Sequence, residues 1–163
     1  MHAPRSVSRN GPADAEQRLA SFIGKFEPAH QRLIRAVRKA LRTRLPGANE
    51  LAYDNYNFFV VGYSPTERPS DAIVSIAAGA SGVSVCFLHG ARLPDPDKVL
   101  LGSGAQTRFM RLESAQVLAR PEVAVLLAAA IAQSKTPFRS SARGTLIIRS
   151  VSAKQRPRRR SAS

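Results

Sequence analysis

The 163-residue chain has one cysteine and no tryptophan, and aromatic residues make up only 6% of it. A lone thiol excludes an intramolecular disulfide, and three scattered histidines beside it supply no close ligand pair of the kind zinc requires. Cys86 lies in Val83-Ser84-Val85-Cys86-Phe87-Leu88, and these apolar neighbours predict a core thiol. The most apolar stretch, Val123 to Ala132, falls well short of the ~20 residues of a membrane span. Met1 to Asp14 lacks an apolar run suited to a signal peptide, so the cytoplasm is the expected compartment and a membrane is not an expected partner. Acidic residues are missing from the C-terminal part. All eleven lie between Asp14 and Glu122, whereas Ser134 to Ser163 holds nine Lys or Arg, leaving +5 of the formal +14 charge for the rest.

Catalytic and metal motifs are equally scarce. Gly79-Ala80-Ser81-Gly82 has neither the spacing of a nucleophile elbow nor a helix behind it. Asp95-x-Asp97 is bracketed by Pro94 and Pro96, which reads as a rigid turn before it reads as a hard-cation site. Of His2, His30 and His89, only His89 stands at a strand end, where site residues often sit. No catalytic set, cofactor or metal is expected, although Asp54 or His89 could serve as a general base if a substrate exists.

Residues 1–13 are polar, carry Pro4, Gly11 and Pro12, and read as a disordered N-terminus. Asp14 is placed to cap a first helix bearing Leu19, Phe22, Ile23 and Phe26 at helical spacing. Pro28 opens a second, with Leu33, Ile34, Val37, Leu41 and Leu45 in one stripe until Pro46-Gly47. The period then becomes extended, with strands expected at Leu51 to Asn57, Phe58 to Tyr63, Ala72 to Ala78, Val83 to His89 and Thr107 to Leu112. A Gly-bearing link at 79–82 makes antiparallel pairing the natural choice. Ser114 can cap a short helical turn, and Pro121-Glu122 opens a last helix to about Gln133. Helices, then strands, then helices predict an α+β domain over 14–134, an antiparallel sheet of five to six strands with helices packed on it. Residues 135–163 form a basic extension whose β-branched stretch 144–151 can add an edge strand before the arginine-rich end frays.

Polar residues cluster at the ends of these strands. Tyr53, Asp54, Asn55 and Tyr56 lie in the latter part of one strand, and Glu67, Arg68 and Asp71 lie in the next connection. His89 ends a further strand, and Gly102, Ser103, Gly104 and Arg108 flank another. Gathered in one hollow, this mixture of acid, base, amide and free backbone N–H suits a small polar or anionic ligand. A second reading uses charge alone. Arg35, Arg38, Lys39 and Arg42 lie on the second helix, while Lys154, Arg156, Arg158, Arg159 and Arg160 crowd the tail. Such groups attract nucleic acid or another polyanion with little sequence preference. Tyr53, Tyr56, Phe58 and Phe59 lie in strands close to these arginine-rich elements, as a stacking platform would require.

The blocks Tyr53-Asp54-Asn55-Tyr56-Asn57, Pro65-Thr66-Glu67-Arg68-Pro69-Ser70-Asp71, Phe87-Leu88-His89-Gly90-Ala91 and Leu93-Pro94-Asp95-Pro96, with Gly102-Ser103-Gly104, together resemble the bacterial YdhG-like family, a domain of unknown function. The resemblance spans about residues 16 to 134, and the ending from Leu146 to Pro157 is also similar to that of close relatives. It implies a small α+β fold with an antiparallel sheet, and some relatives are described as frataxin-like iron chaperones. Relatives typically read Gly-Ser-Gly-Lys-Gln-x-Arg-His, whereas Ala105 and Phe109 stand here in place of the Lys and His. Frataxin-type iron binding uses an acidic helix; the helix here is basic, and Coulomb repulsion disfavours Fe²⁺.

Overall fold

The computed structural model describes residues 11–139 and 143–161. Most of the expected N-terminal tail therefore lies outside the described residues. Helix α1, Pro12–Ile23, begins earlier than the Asp14 cap predicts, with Gly11 at the cap position. Pro12 explains the shift, because its fixed φ and missing N–H suit the first helical position. Helix α2, Pro28–Arg44, starts on proline for the same reason and ends with Arg42 and Arg44 in its last turn, where cations favour the helix dipole.

Five strands follow as an antiparallel meander interrupted by short 3₁₀ turns: β1, Asn49–Asp54; β2, Phe59–Ser64; β3, Val74–Gly79; β4, Gly82–Phe87; and β5, Arg108–Leu112. Helix α3, Pro121–Gln133, comes next, preceded by a 3₁₀ turn at Ala115–Ala119 whose Ser114 side chain accepts from the Gln116 N–H. Strand β6, Leu146–Val151, closes the chain's regular structure. The sheet order is β5-β4-β3-β2-β1-β6, and β6 pairs with β1 in parallel, with a register shift at Ala52/Tyr53. The architecture is α+β with a mixed, mostly antiparallel sheet and helices packed on it, as expected; the added edge strand, whose direction the sequence left open, is parallel. A parallel partner needs a long crossover, and the segment containing α3 supplies it.

Period-two alternation sends Phe59, Val61, Tyr63, Val74, Ile76, Ala78, Val83, Val85 and Phe87 to one face, where they meet Ile34, Val37, Leu41 and Leu126 from the helices in one buried cluster. Each large apolar side chain buried there stabilises the fold by about 1.5–3 kcal/mol. Cys86 alternates to the other face and is only half-buried, which corrects the expectation of a core thiol. Burial still pushes its pKa up, against a smaller opposing hydrogen bond from Ser75.

Strand β1 stops at Asp54, and Asn55 turns the chain by donating its N–H to the Phe58 carbonyl. Residues 55–58, expected to be extended, are therefore a hairpin loop. The arginine-rich end does not fray either. Beyond β6 it folds back as a strap over this loop: the Ser152 N–H bonds the Asp54 carbonyl, the Arg156 N–H bonds the Tyr56 carbonyl, and Gln155 Nε2 reaches the Asp54 carbonyl at 2.7 Å. No helix among the described residues is long and apolar enough to cross a membrane.

Candidate functional site

An antiparallel meander places its connections alternately at the two ends of the sheet, roughly 20 Å apart for strands of this length. The polar blocks divide accordingly. Tyr53, Asp54, Asn55 and Tyr56 stand at the β1–β2 end; Glu67, Arg68, Asp71, His89, Gly102, Ser103, Gly104 and Arg108 stand at the other. One hollow cannot hold all twelve.

At the first end the polar groups are consumed by the fold. Asp54 is fully buried. Its Oδ2 accepts from Lys25 Nζ at 2.6 Å and its Oδ1 from Arg158 Nη2 at 2.8 Å. Burial works to raise the Asp54 pKa, but the Lys25 and Arg158 bonds outweigh it and hold the carboxyl below its ordinary range. Arg158 Nη2 also donates to the Asn55 carbonyl at 2.7 Å, and Ser150 Oγ donates to Asn55 Oδ1. Asp54 and Asn55 are thus anchors for the strap, and the buried Asp54 carboxylate is closed to any ligand. Tyr53 is half-buried, while Tyr56 is exposed.

The second end is open. A cavity of about 590 Å³ lies between the β2–β3 connection, the β4–β5 connection and the end of α3, and Arg68, Asp71 and His89 all line it. Local bonds hold these loops in shape. Ser64 Oγ donates to the Arg68 carbonyl, Thr66 Oγ1 donates to Asp71 Oδ2 at 2.8 Å, and a 3₁₀ turn at Gly90–Arg92 carries the chain away from His89. Gly90 is required there, since a Cβ would come within 2.6 Å of Arg108 Cβ. Ile73, Phe87, Leu93 and Ala130 give the cavity an apolar wall. Its lining includes three basic residues, Arg68, Arg92 and Lys135, against the single carboxylate of Asp71. The C-terminus of α3 adds about half a negative charge, which the cations outweigh.

Arg92, Gln133, Ser134, Lys135 and Thr136 line the cavity without having been anticipated from sequence. The available signal was the polar run Gln133-Ser134-Lys135-Thr136 that closes an otherwise apolar helix. Glu67 is exposed outside this lining. Gly102, Ser103 and Gly104 form an exposed loop beside β5, and Arg108 ties it down by donating to the Gly104 carbonyl at 2.6 Å and the Thr107 carbonyl at 2.9 Å. That guanidinium serves the loop.

The charge clusters also divide. Arg38 is spent inside the fold, clamping Glu50 at 2.8 and 2.9 Å and Glu16 at 2.7 and 2.9 Å. Tyr63 donates to the same Glu50 at 2.8 Å. Burial and the Glu50 carboxylate push this phenol's pKa well up, and the Arg38 bond pulls the Glu16 carboxyl down. Arg35, Lys39 and Arg42 remain exposed along a groove between α1 and α2. On the strap, Arg158 faces inward while Lys154, Arg156, Arg159 and Arg160 face solvent. The four aromatics part company as well: Phe59 is core, Tyr53 half-buried, and Tyr56 and Phe58 exposed. Among the described residues no group of three His, Cys, Asp or Glu side chains is placed to hold a metal ion.

Comparison with known protein families, with curated proteins and with solved structures finds no match. The chemistry of the cavity therefore carries the functional reading.

Proposed function

We propose that the chain is a non-enzymatic, cytoplasmic binding domain of the YdhG-like type, and that the cavity at the β2–β3 end takes a small organic anion. The observation that carries this reading is that Arg68, Arg92 and Lys135 all line a hollow of about 590 Å³ that also has an apolar wall. That volume is typical of small-molecule sites, which pair apolar lining with a few placed polar groups. The cations select a carboxylate or phosphate ester, and Ile73, Phe87 and Leu93 favour one carrying an apolar body. Asp71, loosely paired with Arg68 at 3.8 Å, and His89 add groups able to meet a hydroxyl or amide. A reducing compartment suits the one free thiol, Cys86.

Calorimetric titration with phenyl phosphate and with benzoate tests the reading. Saturable one-site binding of at least one probe is expected, with affinity falling about tenfold or more in Arg92→Ala, as loss of a charge-assisted bond requires. Absence of saturable binding by both probes, or equal binding by the variant, would rule the cavity out as an anion site.

A further inference from the structure

The β1–β2 loop leaves two aromatic rings in water: Phe58 is 53% exposed and Tyr56 44%. A lone exposed ring is unremarkable in itself; the company of these two is what carries meaning. The strap lies against the loop, and the Arg156 guanidinium stands 5.7 Å from the Tyr56 ring centroid while the Arg156 backbone N–H donates to the Tyr56 carbonyl at 2.9 Å. Arg158, with its side chain 2% exposed, is turned inward onto Asp54. That anchor turns a flexible basic tail into a fixed track, from which Lys154, Arg156, Arg159 and Arg160 present their charges outward. Arg159 Nε is further held by the Lys25 carbonyl at 3.2 Å. Neighbouring carboxylates do not cancel the track, because Asp54 is already neutralised and, among the described residues, Glu27 pairs only with Arg160, at 3.5 Å.

A row of cations beside exposed aromatic faces is what a single strand of nucleic acid requires, phosphates following the charges and bases stacking on the rings. A duplex keeps its base faces inside and cannot use the rings. We propose that the strap and the β1–β2 loop form a binding surface for single-stranded nucleic acid, tolerant of sequence, with Tyr56 and Phe58 as stacking platforms. The surface occupies the end of the sheet opposite the anion cavity, so the two readings stand or fall separately.

Fluorescence anisotropy with labelled oligothymidylate and oligouridylate, a matched duplex and the full chain tests it. Saturable binding at low salt is expected, tighter for the single strands than for the duplex. The logarithm of affinity should fall with the logarithm of salt at a slope of roughly −2 to −3, as three or four phosphate contacts dictate. Tyr56→Ala with Phe58→Ala should weaken binding about tenfold or more at unchanged salt slope, and Arg156→Ala should flatten the slope by about 0.7, the share of one phosphate contact on a single strand. All three positions are exposed, and unchanged thermal unfolding confirms that the variants fold. The proposal is overturned by absence of saturable binding, by equal affinity for duplex and single strand, or by an aromatic double variant that binds like the parent. It is equally overturned if phosphatidylserine vesicles capture the chain while the oligonucleotides do not.

Discussion

Three consecutive arginines, Arg158, Arg159 and Arg160, end the strap, and their energetic roles differ sharply. Arg158 is buried with one nitrogen on Asp54 and the Asn55 carbonyl, while its Nε and Nη1 are buried without a partner among the described residues. The unpartnered nitrogens cost free energy, so the net value of the pair is modest. Deleting one side of it is another matter, because Asp54 would keep its charge in a buried place with Lys25 as its main counter-ion. Arg158→Ala is expected to lower the unfolding free energy by about 3 kcal/mol, the low end of the range for a broken buried pair. Arg159→Ala, at an exposed position, should change it by less than about 0.5 kcal/mol. Urea denaturation of both variants checks the contrast, and equal effects would mean that Arg158 does not anchor the strap. The contact joins residues 104 positions apart. Nothing in a run of three arginines marks which one turns inward, since that depends on where a distant carboxylate is held.

Among the elements, periodicity was the legible part. The apolar stripes of α1 and α2, the two-residue alternation of the strands and the β-branched character of β6 all follow from side-chain geometry along a regular backbone. The grouping of Tyr53 to Tyr56 with His89 did not follow, and the topology explains why: successive hairpins point to opposite ends of the sheet, so polar blocks one strand apart are separated by a strand's length. The strap was illegible for a different reason. Its composition is that of a solvated tail, and docking is favourable chiefly because the Asp54 carboxylate and the loop carbonyls around it receive the strap's donors. Removing residues 152–163 should therefore lower thermal stability, and the loss should depend on pH. Asp54 has a folded-state pKa below its unfolded value of about 3.9. Its contribution is thus fully present above that unfolded value and is lost as pH falls through the folded one. The gap between full-length and truncated chains should be steady from about pH 5 to 8 and narrow below about pH 4. Thermal unfolding across a pH series measures it. A gap that widens in acid would show that the strap is held by something other than the Asp54 charge.

Across the whole molecule, a formal charge of +14 on 163 residues sets repulsion among exposed cations against attraction in a few ion pairs. The pairs that matter most, Asp54 with Arg158 and Glu50 with Arg38, are largely sheltered from solvent and are little affected by mobile ions. The excess cations on the α2 face and the strap are exposed, so salt acts mainly on the repulsive term. Raising sodium chloride from about 0.1 M to about 1 M shortens the screening length from about 10 Å to about 3 Å. Stability should rise by about 1 kcal/mol, which for a chain of this size is roughly 2–4 °C in Tm. Most of the gain should come at the lower salt concentrations, where screening changes fastest, and scanning calorimetry over a salt series would resolve it. The same series should weaken anion and oligonucleotide binding, so that stability and affinity move in opposite directions. A Tm that falls with salt would mean that attractive surface pairs govern this fold, and would remove the physical basis for treating its exposed arginines and lysines as a reservoir of unspent charge.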